Sequence, residues 1–255
     1  MTPLLKISDV SVTFGGVRAL TDVSMSVTPG TVHGLIGPNG AGKTTLLNAI
    51  SRLVLPDSGA IQFDGRDILT AKPDEIAGFG IARTFQNFGL IPDFTVRDNV
   101  KCGYHSRHGA HLVDEFLMPW RRNAFERETE AEVERVLAAT NLQEVADQPV
   151  SGLSYGLRKA VELARGMVAA PRLLLLDEPT AGLTSPDMLR LRETLDRYRE
   201  VSDLTIVVIT HHLEFLSDVA DFVTVLDVGR VIANGTPTEV QKDENVVRAY
   251  IGEDA

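Results

Sequence analysis

The sequence predicts an α/β fold with a buried central sheet, and three observations lead to this prediction. Short β-branched runs recur along the chain, and several are apolar throughout, as strands buried on both faces are. Stretches with helical spacing of apolar residues lie between these runs. The 255 residues are enough for one large domain, or for a core that carries an inserted subdomain.

The elements can be placed in chain order. Strands are predicted at 10–14, 23–27, 32–36, 173–176, 205–209 and 222–226, with a hairpin partner at 230–233. Helices are predicted at 43–52, 124–142, 156–168 and 186–199. We expect Ser185 to cap the last of these helices, because Pro186 suits a first helical turn.

The middle of the chain contains no convincing strand, whereas both flanks do. A helical subdomain inserted into an α/β core is the simplest explanation. We therefore predict a core of residues 1–90 and 166–255, and a helical subdomain of residues 91–165.

Composition limits the classes of protein to which the chain can belong. The net charge of −10 disfavours nucleic acid as the main partner, because a duplex-binding surface usually has a basic excess. The single cysteine, Cys102, excludes an internal disulfide and suits a reducing compartment. We see no secretory signal and no apolar run long enough to span a membrane. The expected location is the cytoplasm, with any membrane attachment supplied by other chains.

A phosphate-binding loop follows the predicted strand 32–36. The pattern G-x-x-x-x-G-K-T comprises Gly37, Pro38, Asn39, Gly40, Ala41, Gly42, Lys43 and Thr44, with Thr45 after it. Glycines allow backbone N–H groups to surround phosphate oxygens, and the N-terminus of the next helix adds partial positive charge. Lys43 would contact the β- and γ-phosphates of ATP, and Thr44 would offer its hydroxyl to Mg²⁺.

Two carboxylates end the apolar strand that begins at Leu173. Asp177 is expected to hold Mg²⁺, as the acid at this strand end does in ATPases with such a loop. Glu178 is placed to polarise the attacking water as a general base. These motifs predict a P-loop NTPase (RecA-like) core.

Leu153-Ser154-Tyr155-Gly156-Leu157 resembles the L-S-G-G-Q signature of ABC (ATP-binding cassette) ATPases. The order of loop, signature and acidic strand end is that of this family, and the similarity extends over essentially the whole chain. The resemblance implies an antiparallel β subdomain beside the core and a head-to-tail pair of cassettes. In such a pair, Ser154 and Gly156 would contact the ATP that the partner binds.

Further positions match the same family pattern. By resemblance, Phe14 would stack on adenine, Gln86 would approach Mg²⁺ and the attacking water, and His211 would contact the γ-phosphate. Thr184 ends the segment that crosses the interface of the pair. Three residues depart from the pattern: Tyr155 replaces a glycine, Leu157 a glutamine, and Thr184 an aspartate.

The closest resemblance within the family is to the LivG-type ATPases of branched-chain amino acid importers. It rests on the Phe14–Leu20 stretch, on residues 83–87, on Tyr155 and on the ending 246–252. This resemblance implies integral membrane permease subunits, a second cassette that is identical or related, and an extracytoplasmic substrate-binding protein. The protein would lie on the inner face of the cell membrane.

Three alternatives stay open at this point. A lipopolysaccharide-export ATPase has a similar cassette, and the length between Gln86 and Ser154 argues only mildly against it. A soluble ABC protein that acts on ribosomes normally carries two cassettes in one chain. A DNA-repair cassette would need a long coiled-coil insertion, which this sequence lacks.

Three histidines stand three residues apart in the predicted insert, at His105, His108 and His111. Such spacing could align metal ligands on a helix. Gly103 and Gly109 disfavour a stable helix, so we expect solvated loop histidines here.

Overall fold

The computed structural model describes residues 2–84, 89–108 and 119–251. Ten strands occupy this part of the chain: β1 Leu5–Phe14, β2 Val17–Val27, β3 Val32–Ile36, β4 Ser58–Phe63, β5 Arg66–Asp67, β6 Ile81–Arg83, β7 Leu173–Asp177, β8 Thr205–Ile209, β9 Phe222–Asp227 and β10 Arg230–Gly235. The α-helices are α1 Lys43–Ile50, α2 Val96–His108, α3 Pro119–Ala139, α4 Tyr155–Met167, α5 Ser185–Val201, α6 Leu213–Val219, α7 Pro237–Gln241 and α8 Glu244–Ile251. Short 3-10 helices cover Pro73–Phe79, Gln143–Val145 and Val150–Gly152.

The strands form two sheets. An antiparallel sheet has the order β2-β1-β4-β5, and a larger sheet has the order β10-β9-β3-β8-β7-β6. In the larger sheet β9, β3, β8, β7 and β6 pair in parallel, and β10 closes it as the antiparallel arm of a hairpin. The predicted α/β class and the predicted hairpin are therefore confirmed.

The apolar run of β7 divides between two hydrophobic clusters, because successive side chains point to opposite faces. Leu173 and Leu175 pack with α1 and the antiparallel sheet, whereas Leu174 and Leu176 pack with α2, α3 and α4. The same alternation holds in β8. Burial on both faces explains why these strands are apolar throughout.

Three strands were not predicted from the sequence, and the predicted ranges of two others are too short. Strands β4, β5 and β6 were not predicted, and β1 and β2 begin earlier than expected. Between residues 91 and 165 the described residues form helices and turns, with one isolated bridge between Thr95 and Pro149. None of the described helices is both long and apolar enough to cross a membrane.

Gly103 was expected to disfavour a helix, and that prediction is wrong. It lies inside α2, where an added Cβ would stand 2.0 Å from the carbonyl oxygen of Arg165 in α4. The close contact between the two helices requires glycine here, so packing outweighs its low helix propensity. His105 and His108 therefore lie in a helix, not in a loop, and His111 lies outside the described residues.

The predicted cap of α5 is also corrected. Thr184, not Ser185, is the cap: its hydroxyl oxygen accepts a hydrogen bond from the Asp187 amide at 3.4 Å. The same hydroxyl donates to the Asp187 carboxylate at 2.6 Å. This residue thus has a local structural role at the position where many relatives have aspartate.

The buried residue His33 predicts how stability depends on pH. It lies in β3, with its Nε2 2.8 Å from the Thr224 hydroxyl, and burial lowers its pKa from 6.5 to about 4. Between these values the unfolded chain binds a proton that the folded chain does not. Protonation of His33 in the unfolded chain should therefore lower the free energy of unfolding by roughly 3 kcal/mol as the pH drops from 6.5 to 4.

Denaturant unfolding of His33→Gln across this pH range checks the prediction. The variant should lose this part of the pH dependence, since its amide can still bond to Thr224 but does not titrate. His212→Gln is the control, because His212 is exposed. Equal slopes of stability against pH for wild type and His33→Gln would contradict the assignment.

Candidate active site

The phosphate loop has the backbone shape that its glycines allow. Gly37 and Gly42 have φ angles of 147° and 99°, in the region that favours glycine. A Cβ would lie 1.9 Å from the Leu226 carbonyl oxygen at Gly37, and 2.6 Å from that of Ala19 at Gly42. Helix α1 begins directly after Gly42, so the partial positive charge of its N-terminus lies at the loop.

Lys43 is buried at the start of α1. Its ammonium group donates hydrogen bonds to the carbonyl oxygens of Gly37 and Pro38, both at 2.7 Å. The loop therefore holds the Lys43 ammonium group close to the loop backbone. This group is the charge that would contact phosphate. Thr44 is exposed and Thr45 is partly buried beside it.

A cavity of about 230 Å³ opens over this loop. It brings together predicted residues that follow β3, β7 and β8, and it adds Ala19 and Ile209, which the sequence did not single out. Its lining is Ala19, Asn39, Gly40, Ala41, Gly42, Lys43, Thr44, Thr45, Glu178, Ile209 and His211. A larger cavity of about 400 Å³ includes Arg83 but neither Lys43 nor Glu178, so volume alone does not locate the chemistry.

Glu178 and His211 meet at the mouth of this cavity. The Glu178 Oε1 atom lies 2.9 Å from Nε2 of His211, and Glu178 has a left-handed φ of 51°. Burial raises the pKa of Glu178, while His211 and Lys43 oppose the shift. A mostly buried carboxylate paired with an exposed imidazole can accept a proton from a water in the cavity.

Asp177 lies next to Glu178 but is held differently. Its Oδ2 accepts a hydrogen bond from the Arg83 guanidinium at 2.9 Å, and both side chains are nearly buried. The same guanidinium donates to Oδ1 of Asn48 in α1 at 2.7 Å. Sequence reasoning missed Arg83, because nothing in the local pattern shows that it faces a strand end so far along the chain.

The residues predicted to hold Mg²⁺ have suitable chemistry. The Oδ1 atom of Asp177 is buried and has no hydrogen-bond partner among the described residues. The Asp177 carboxylate and the Thr44 hydroxyl both offer hard oxygen donors, which Mg²⁺ prefers. Gln86, the third predicted ligand, lies outside the described residues.

Six of the predicted site residues that the structure describes do not line this cavity within one chain: Phe14, Gly37, Pro38, Ser154, Gly156 and Asp177. Phe14 is half exposed at the end of β1. Ser154 caps α4, and its hydroxyl oxygen accepts from the Leu157 amide at 3.4 Å. Gly156 follows in the first turn of the same helix. Leu157 packs against the helical cluster, so its side chain serves the core.

The chain matches the family model of the ABC transporter over residues 20–181. The chain belongs to this family of ATP-binding cassettes. A second model, described as branched-chain amino acid ATP-binding cassette transporter, matches residues 230–255 of the cassette.

Individual relatives extend over the whole cassette. It is 34% identical over 255 residues to the high-affinity branched-chain amino acid transport ATP-binding protein BraF of Pseudomonas aeruginosa, covering 98% of each chain. It is 34% identical over 254 residues to LivG, of the same description, from Salmonella typhimurium, again covering 98% of each. A crystal structure of the ADP conformation of an ATP-binding cassette from an ABC transporter matches with a TM-score of 0.84 and 30% identity, covering 99% of this chain and 100% of that one.

These matches confirm the resemblance to LivG-type ATPases, the P-loop NTPase fold and the ATPase activity. The function expected from the sequence, the ATPase subunit of an ABC importer, is confirmed with them. The cassette accordingly binds and hydrolyses nucleotide.

Replacing Arg83 should destabilise the cassette strongly. Arg83→Met would leave the buried Asp177 carboxylate without its cationic partner, and breaking a buried pair in this way typically costs about 3–5 kcal/mol. Arg172→Met is the matched control, because Arg172 pairs with Asp64 at the surface, at 2.6 Å.

Denaturant unfolding of both variants at neutral pH measures the difference. The control should unfold close to wild type. If Arg83→Met were as stable as Arg172→Met, the buried pair would not stabilise the fold.

Proposed function

We propose that the chain energises the import of branched-chain or related amino acids by binding and hydrolysing Mg·ATP. The observation that supports ATP hydrolysis is the convergence of Lys43, Glu178 and His211 on one cavity. The cargo is inferred from relatives only: BraF and LivG are branched-chain amino acid transport proteins by name, and the C-terminal family model bears the same description.

In this proposal each residue of the cavity has a separate task. Lys43 exchanges its bonds to loop carbonyls for bonds to phosphate oxygens, which the N-terminus of α1 also attracts. Glu178 takes the proton of the attacking water, and His211 orients Glu178 and donates to the γ-phosphate. Phe14 stacks on the adenine from the exposed end of β1, and Gln86 approaches the metal and the water.

Asp177 and Thr44, with Gln86, are the proposed holders of Mg²⁺. When bound there, the ion would neutralise phosphate charge. Arg83 holds one oxygen of Asp177, and the other, Oδ1, is the one we propose for the ion. The carboxylate thus keeps a fixed orientation.

We further propose that two cassettes pair head to tail, with Ser154 and Gly156 of one facing the ATP of the other. Since Ser154 and Gly156 do not line the cavity of their own chain, a site completed by a partner is consistent with their placement. The second cassette would be identical or related. The helical part, residues 91–165, would transmit the change to permease subunits, and residues 1–90 and 166–255 would form the catalytic core.

Replacing the proposed base tests this mechanism. Glu178→Gln should bind ATP as wild type does, because the phosphate loop is intact, but hydrolysis should fall by about 10²-fold or more. Nucleotide affinity and steady-state phosphate release measure the two effects. Glu244→Gln is the control, since Glu244 is an exposed residue of α8. Normal turnover by Glu178→Gln would exclude it as the base.

Capturing the protein from detergent-solubilised membranes tests the transport assignment. We expect the protein itself to lie on the inner face of the cell membrane. Integral membrane subunits and an extracytoplasmic binding protein should co-purify with it. The binding protein should take leucine, isoleucine or valine in a calorimetric titration. Recovery with ribosomes or DNA instead would contradict transport, and a polysaccharide or lipid exporter as partner would contradict import.

A further inference from the structure

The turn that carries Glu178 has few internal hydrogen bonds. The Ala181 amide donates to the Glu178 carbonyl oxygen at 3.2 Å, and the Leu183 amide donates to that of Thr180 at 3.1 Å. Glu178 itself has a left-handed backbone, which costs a non-glycine residue free energy. Contacts from outside the turn must therefore help to hold it.

Tyr155 supplies such a contact from the signature segment. Its hydroxyl donates to the Ala181 carbonyl oxygen at 3.1 Å. Its ring lies over Gly182, where an added Cβ would be 3.0 Å from the ring. Tyr155, the first residue of α4, is thereby hydrogen-bonded to Ala181, whose amide donates to the Glu178 carbonyl oxygen.

A second contact fits α4 against the far end of the same turn. An added Cβ at Gly156 would lie 2.7 Å from the Asp187 carboxylate, in the first turn of α5. Thr184 holds Asp187 there through two hydrogen bonds. Glycine at position 156 and glycine at position 182 thus allow the N-terminus of α4 to approach the turn closely.

We propose that Tyr155 is a positioning residue for Glu178, tying the turn of the base to the signature segment of the same chain. This inference rests on the proposed function, in which Ser154 and Gly156 face the partner's ATP and Glu178 acts on its own. A shift of α4 caused by the partner's nucleotide would reach Glu178 through Tyr155 and Ala181. The tyrosine, which stands where the family signature has glycine, supplies this link.

Tyr155→Phe removes the hydroxyl and keeps the ring, so it tests the link directly. In the nucleotide-free chain, hydrogen exchange of the 181 and 183 amides should rise about fivefold, the effect of losing one typical hydrogen bond. In the assembled transporter, kcat should fall about fivefold. The KM for ATP should change less than twofold, because the loop around Lys43 is untouched.

Tyr198→Phe is the matched control. The Tyr198 hydroxyl also donates to a backbone carbonyl, that of Met167 at 3.0 Å, but the pair lies away from the turn. This variant should lose stability without changing exchange at residues 181 and 183, or kcat.

Each remaining outcome has one meaning. Unchanged exchange in Tyr155→Phe would overturn the link itself. Faster exchange with unchanged kcat would overturn the positioning role while leaving the proposed function in place. If the unsubstituted transporter hydrolysed no ATP, the proposed function would fail, and the positioning role would fail with it.

Discussion

The parallel order of β3, β8 and β7 brings the reactive groups of the chain together. Lys43 follows β3, Glu178 follows β7 and His211 follows β8, and the carboxyl ends of parallel strands lie at the same edge of a sheet. Because β8 pairs with both neighbours in continuous register, residues far apart in sequence line one cavity. The hydrophobic clusters on the two faces fix this register, since a slip of one residue would move every side chain of a strand into the cluster on the opposite face.

Charge at this edge of the sheet is balanced in two separate pairs. Arg83 compensates Asp177 below the cavity, and His211 lies beside Glu178 at its mouth. The first pair is buried and structural, whereas the second is partly open and faces the space where phosphate would bind. Their different surroundings are the physical basis of the different roles we propose for these neighbouring carboxylates, Asp177 as a fixed oxygen donor and Glu178 as a base.

Much of this arrangement follows from local sequence patterns. Strands β3 and β8 have the predicted bounds, because an apolar run flanked by turn residues is read locally. The helical form of the segment around Gly103 could not be predicted, since only the nearby Arg165 carbonyl explains why glycine is needed there. Arg83 escaped prediction for the same reason: its partner comes from a distant strand. The phosphate loop was found because its chemistry is contained in eight consecutive residues.

The departures from the family pattern also make sense only in three dimensions. Leu157 joins the apolar cluster, and Thr184 caps α5 and holds Asp187 beside Gly156. A carboxylate at this place offsets the partial positive charge of the N-terminus of α4, so the free chain attracts anions there less strongly than a bare helix end would. In the proposed pair of cassettes, a nucleotide bound by the partner would meet a charge that this chain itself supplies. The signature segment and the turn that carries Glu178 are thus in direct contact, and neither can be assessed from its own motif.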